Sequence, residues 1–205
     1  MTELSLRAEQ FAAAAHAVVD LVSTIPEDAW DGPGLGEWDL RALVGHTSRA
    51  LLTVETYLGH PAEHEDVGTS DAYVGGGTTS ATNAAAVAGR GVAAGAALGA
   101  DPATAFAAIV TRVLPLVNRD DDPLITTIAG GMRLSVYLPT RTLELVVHGL
   151  DIADALGAGP PAFPPEVWSA TLSLAARAAV VRERSPELLR AMTGRAPLPP
   201  GFSVV

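Results

Sequence analysis

Cysteine is absent from the 205 residues, which excludes disulfides, thiolate metal ligands and a protein thiol nucleophile. Any thiol chemistry carried out by this chain needs a thiol supplied from outside. Positive charge is scarce as well: 13 Lys+Arg stand against 23 Asp+Glu, giving a net charge of -10 and a pI near 4.8. With no basic stripe to neutralise phosphates, nucleic acid is not an expected partner. Aromatic residues make up only 5% while hydrophobic residues make up 48%, and alanine carries the surplus. That balance favours close-packed helices over a sheet rich in β-branched and aromatic residues. No long apolar run has the character of a membrane span; the best, Ala84 to Ala100, is mostly Ala and Gly and holds Arg90. The opening MTELSLRAEQ lacks the charged-then-apolar layout of a signal peptide. The expected location is therefore the cytoplasm, with no membrane partner. No repeat of fixed period and no sustained heptad is present.

What is there reads as one domain, a helical bundle over residues 1–195 followed by a Pro-rich tail, 196–205. A first helix runs from about Thr2, its N-cap, to Thr24, where Ile25-Pro26 stops it. The connector that follows carries Trp30 and Trp38, two large rings expected to cover the end of a core. Asp39 caps a second helix, Leu40 to Leu58, with His46 near its middle. Gly59 to Ser80 is a long, acidic, Gly-rich connection suited to a crossover or a mobile lid. It holds His60 and His64 beside Glu63, Glu65 and Asp66, a competing metal candidate weakened by Pro61 and the surrounding glycines. Asn83 is the expected cap of a helix through Leu98, and Asp101-Pro102 starts another that reaches Val117. Leu124 to Leu138 fits either an extended segment or a short helix. A helix over Glu166 to Arg184 and a short one at PELLRAM complete the chain. The expected fold is all-α, a four-helix bundle with additional short helices and a long loop between helices 2 and 3.

The informative stretch is Arg141 to Leu156, RTLELVVHGLDIADAL, introduced by Pro139-Thr140 and closed by Gly157. On a helix, Glu144, His148 and Asp151 fall within roughly 60° of one another around the axis. Leu143, Val146, Val147, Leu150, Ile152 and Leu156 cover much of the rest of the circumference, so the ionisable face turns away from bulk water. A buried carboxylate beside a buried imidazole needs a partner. A hydrogen bond between Glu144 and His148 meets that need, and so does a metal ion, because i,i+4 spacing brings two ligands to one ion. His46, from a neighbouring helix, completes a set of two histidines and one glutamate. Such a set suits zinc with an open position, and it equally suits iron(II).

Three segments, GEWDLRALVGHTSRALL, RTLELVVHGLDIADAL and LLRAMTGRAPLPPGF, carry a family likeness. The sequence resembles the mycothiol-dependent maleylpyruvate isomerase family, part of the wider DinB-like superfamily of metal-binding helix bundles, in a short form without the additional C-terminal domain. The likeness runs from about Ser5 to Gly201, and its specific parts are Trp38 with His46, and Glu144, His148, Gly149 and Asp151. It implies that His46, Glu144 and His148 bind a divalent metal, usually zinc, and that Asp151 is a nearby catalytic carboxylate, orienting His148 or acting as acid or base. Arg141 and Arg133 are candidates for holding an anionic substrate or cosubstrate, or for pairing with Asp151. The expected activity is activation of a small thiol, mycothiol, for S-transfer to, or isomerisation of, a small electrophile by a monomer or homodimer. The alternatives on the same residues are a metal-dependent hydrolase, an iron(II) oxygenase and a non-catalytic binding module. A di-iron carboxylate bundle is disfavoured, since it uses two Glu-x-x-His elements.

Overall fold

Alanine-rich stretches of high helix propensity alternate here with Gly- and Pro-containing breaks, and the chain folds along those divisions. The computed structural model describes residues 2–76 and 81–204. Its helices are α1 (Glu3–Val22), α2 (Leu40–Leu58), α3 (Ser70–Gly75), α4 (Ala81–Ala97), α5 (Pro102–Val117), α6 (Leu134–Ala155), α7 (Pro165–Val181) and α8 (Ser185–Met192). Helices α1 and α2 each pack against both α5 and α6, closing a four-helix bundle of the DinB-like kind. Phe11, Leu43, Leu51, Phe106, Tyr137, Leu138 and Leu145 are fully buried between them, and burying an apolar side chain of this size stabilises by roughly 1.5–3 kcal/mol. The remaining helices flank this core, α4 against α2 and α7 against α6, α1 and α3.

Local capping sets three of the helix starts at the residues expected from sequence. Thr2 Oγ1 accepts from Ser5 N–H at 3.1 Å, Asp39 Oδ1 from Ala42 N–H at 2.7 Å and Asp101 Oδ1 from Thr104 N–H at 3.0 Å. Each satisfies one of the donors that a helix start leaves without an intrahelical partner. Asn83, by contrast, is not a cap: α4 already begins at Ala81.

The stretch Leu124 to Leu138 resolves into two kinds of structure. Strands β1 (Leu124–Thr127) and β2 (Gly130–Arg133) form an antiparallel hairpin with Thr127 opposite Gly130. Helix α6 then starts at Leu134, ahead of the Pro139-Thr140 start expected from sequence. Asp122 explains the early start, because its carboxylate accepts from Ser135 N–H at 2.9 Å and from Ser135 Oγ–H at 2.6 Å. A cap delivered from 13 residues upstream leaves no local signature. Pro139 lies inside the helix, where it has no N–H to donate to Ser135 O.

The connection after α2 is not a free lid over its first half. Ala62 N–H donates to Leu124 O, Thr126 N–H to His60 O, and Asp66 and Val67 N–H both to Gly131 O. Asp66 Oδ2 accepts from Gly131 N–H at 2.7 Å. A Cβ at residue 131 would collide with the His64 carbonyl, so glycine is what lets the strap lie flat on the hairpin. The short helix α3 follows, and 77–80 at the end of the connection lie outside the described residues.

Helices α2 and α4 cross in direct backbone contact. At Gly95 an added Cβ would stand 2.7 Å from Arg41 O, and at Gly45 it would overlap the Gly95 backbone. This crossing holds α4 close over the half of α2 that carries His46. No single helix among the described residues is long and apolar enough to cross a membrane.

Candidate metal centre

Two helix stripes face each other at the site. On α2, His46, Arg49, Ala50, Thr53 and Tyr57 recur at three- and four-residue steps, and on α6 Tyr137, Arg141 and Glu144 do the same. Together with Tyr73 and Val74 of α3, Val87 and Arg90 of α4, Ile128 of the hairpin and Arg182 they line a cavity of about 520 Å³. The volume suits a small ligand.

His46 and Glu144 of the cavity wall, together with His148 next to them, present ligand atoms that all lie within 4.8 Å of one another. His148 Nε2 and Glu144 Oε2 are 3.3 Å apart. Two atoms each bonded at about 2.0–2.1 Å to one tetrahedral ion stand about 3.3 Å apart, so this pair already has the right span. The imidazoles of His46 and His148 meet edge to face with centroids 4.8 Å apart. Among the described residues this is the one grouping of three potential ligands; the candidate at His60 and His64 does not form, and His60 Nδ1 is spent on Thr56 O at 2.7 Å.

The protonation states differ sharply around this cluster. Burial, followed by the charge of His148, holds His46 down to about 4, so its ring is neutral at physiological pH. Its buried Nδ1 has no hydrogen-bond partner among the described residues. Burial acts the same way on His148, but the hydrogen bonds to Asp151 and Glu144 outweigh it and lift the ring to about 9. Burial pushes Glu144 upward, and the hydrogen bond to His148 with the charges of Arg141 and His148 overcomes it, leaving the carboxylate at about 2. A neutral imidazole with an unpartnered nitrogen, an ionised carboxylate and a protonated imidazole that a cation would discharge make a donor set that fits a divalent ion.

Asp151 stands behind this set. Its Oδ2 is 2.9 Å from His148 Nδ1, which leaves Nε2 directed at Glu144. Carboxylates in this position fix the tautomer and orientation of a ligating imidazole. The contact to His148 is the one that an orienting role for Asp151 needs.

The two arginines singled out from sequence part company. Arg141 is only 12% exposed and lies over Tyr137 and Tyr73, its guanidinium carbon 4.9 and 5.6 Å from the ring centroids. It lines the cavity and sits 4.0 Å from Glu144 Oε1, not beside Asp151. Arg133 is not at the cavity: it faces the strap, 3.5 Å from Glu65 Oε2, and donates to Asp122 O at 3.1 Å. The outward face of β2 turns it away, an orientation set by the strand pairing of the hairpin.

Trp38 is more than a cover for the core. Its indole lies against His46 with centroids 4.6 Å apart, and its Nε1–H donates to Ala88 O at 3.0 Å. Gly91 makes room for it, since a Cβ there would be 2.7 Å from the ring. Trp30 is buried, as expected of a core residue.

Arg49, Thr53, Tyr57, Tyr73, Arg90 and Tyr137 were not anticipated from sequence. Arg49, Thr53 and Tyr57 follow His46 at +3, +7 and +11, and Tyr137 precedes Arg141 by four, so helical spacing from the candidate ligands was the available signal. Nothing comparable points to Arg90 or Tyr73, which reach the cavity only through the packing of α4 and α3.

A DinB-like helical bundle whose facing helices could hold a metal ion through two histidines and a glutamate is the class that this fold and site define. The family model for the mycothiol maleylpyruvate isomerase N-terminal domain matches residues 11–153, a span that contains all three candidate ligands and Asp151. The chain belongs to that family. Searches of curated proteins and of solved structures gave no match.

Proposed function

We propose that this chain is a metal-dependent enzyme that activates a low-molecular-weight thiol, mycothiol, for S-transfer to, or isomerisation of, a small electrophilic metabolite. The observation that carries the reading is the convergence of His46, Glu144 and His148, the first two of them in the wall of a ligand-sized cavity, in a chain with no cysteine of its own. These three residues would hold the ion, zinc being the natural occupant of a two-histidine, one-carboxylate set with room for a further ligand. A zinc ion bound there supplies Lewis-acid activation, making a thiol acidic enough to be ionised at neutral pH.

The protein's own residues do the rest. Asp151 engages His148 Nδ1 and so leaves Nε2, once it gives up its proton, as the nitrogen that would ligate. Against burial, the hydrogen bond to His148 and then the charge of Arg141, fixed over two tyrosine rings, keep Glu144 ionised. Trp38 backs His46 and limits the rotamers open to it. The Tyr137 hydroxyl, raised by burial and therefore neutral, donates to Thr53 Oγ1 at 2.9 Å and keeps the cavity wall polar without adding charge. The test is metal analysis of the purified protein together with calorimetric titration with mycothiol. One equivalent of divalent metal and mycothiol binding that is lost in His46→Ala are expected; a metal-free protein, or thiol-transferring activity that survives His46→Ala, refutes the reading.

A further inference from the structure

The cavity wall is divided by chemistry. Four arginines line the wall, Arg49, Arg90, Arg141 and Arg182, against one carboxylate, Glu144; Arg141 is engaged by Glu144 and the rings of Tyr73 and Tyr137, and Arg182 has an interaction of its own. In an acidic chain arginines readily find carboxylates, and Arg7, Arg41, Arg112, Arg119, Arg133, Arg177 and Arg184 all do so elsewhere. Arg49 and Arg90 have no carboxylate partner among the described residues, although the chain carries a net charge of -10. Two unneutralised guanidinium groups in one concave wall are a receptor for an anion.

The lining also carries the apolar side chains of Val74, Val87 and Ile128. Ile128 is 81% exposed, the most exposed large apolar side chain among the described residues. It sits in the two-residue loop of the hairpin, which the strap at Ala62, Asp66 and Val67 holds by backbone hydrogen bonds. A single exposed isoleucine needs no explanation on an open surface. One held at the rim of a cavity, on a tied-down hairpin, presents its surface to whatever enters.

We propose that the electrophile accepted by this site is a monocarboxylate with an apolar aryl or alkyl body, its carboxylate held by Arg49 and Arg90 and its body laid against Val74, Val87 and Ile128. This rests on the reading of the cavity as the active site of a thiol-transferring enzyme, and it adds the substrate class. A dicarboxylate would bring a second charge for which the wall keeps no uncommitted cation, since Arg141 is engaged by Glu144 and the tyrosine rings and Arg182 has an interaction of its own, and an unpartnered buried charge is unfavourable. A neutral analogue would leave both guanidinium groups without an anion.

The test is calorimetric titration of the protein as isolated, with no thiol present, using cinnamate, cinnamamide and fumarate as probes. Cinnamate should bind at least about tenfold tighter than either of the others. Arg49→Gln and Arg90→Gln should each weaken cinnamate by about fivefold or more and leave cinnamamide unchanged, while Ile128→Ser should weaken cinnamate about threefold and leave fumarate unchanged. Fumarate binding as tightly as cinnamate overturns the proposal. So does a preference for cinnamate that persists in both arginine variants but disappears on chelation of the metal, since the carboxylate would then sit on the ion. Because no thiol takes part, failure to find thiol-transferring activity would count against the enzymatic reading and leave the substrate-class result to stand or fall by itself.

Discussion

Loading the site with zinc at pH 7 should release one proton, and that proton should come from His148. The imidazole is held at about 9 in the metal-free protein, so at pH 7 it is roughly 99% protonated. His46, at about 4, and Glu144, at about 2, already have the form a metal needs. Displacing the His148 proton at pH 7 costs about 2 units of pKa, or roughly 3 kcal/mol, which lowers the apparent affinity about a hundredfold below its limit above pH 9. Between about pH 5 and 8 the apparent association constant should therefore rise about tenfold per pH unit, then level off near 9, and below about 4 the slope should steepen as His46 takes up a proton. Isothermal titration calorimetry in PIPES and in Tris, whose ionisation enthalpies differ, counts the proton directly. Asp151→Asn removes one of the two partners that lift His148, so in that variant the plateau should begin at lower pH. Release of no proton or of two, or an affinity flat across pH 5 to 8, would refute the electrostatic account of the site.

The same two histidines should shape the stability of the metal-free protein in opposite directions. His148, raised from 6.5 to about 9, stabilises fully below pH 6.5 and loses that contribution as pH climbs through 9. His46, depressed from 6.5 to about 4, contributes above 6.5 and loses that contribution as pH falls through 4. Urea midpoints of chelated protein should thus peak near pH 6.5, with His148→Gln flattening the alkaline limb and His46→Gln the acid one; a wild-type profile without that peak contradicts the assignment. The helix crossing gives a purely steric prediction. Gly45→Ala puts a Cβ into the Gly95 backbone and should destabilise by about 1–3 kcal/mol or more, whereas Gly89→Ala on α4, with nothing within 4 Å, should stabilise by up to about 1 kcal/mol. Equal effects of the two substitutions in urea denaturation would mean that α2 and α4 do not pack as described.

Much of the site is legible in the sequence because a helix converts spacing into direction. Glu144, His148 and Asp151 share a face by arithmetic alone, and that face is where the structure places them. Asp39 and Asp101 mark the starts of their helices because an N-cap acts within three residues. The start of α6 escapes the same reading because its cap, Asp122, comes from across the hairpin. The position of Arg133 beside Glu65 escapes it for a related reason, since its direction depends on strand pairing that no local pattern in LITTIAGGMR enforces.

The sequence by itself determined the helical periodicity, the principal caps, the absence of a protein thiol and the identity of the three candidate ligands. Those properties reside in neighbours along the chain or in composition, except for His46, which the family likeness supplied, and they survive without knowledge of the fold. The tertiary structure alone decided that His46 meets Glu144 and His148, since α2 and α6 are linked only through packing. It decided as well that Arg49 and Arg90 lack carboxylate partners among the described residues, and that Ile128 stands at the cavity rim. Charge pairing and exposure are sums over everything within a few ångströms, and most of what lies that close to these residues is remote in sequence.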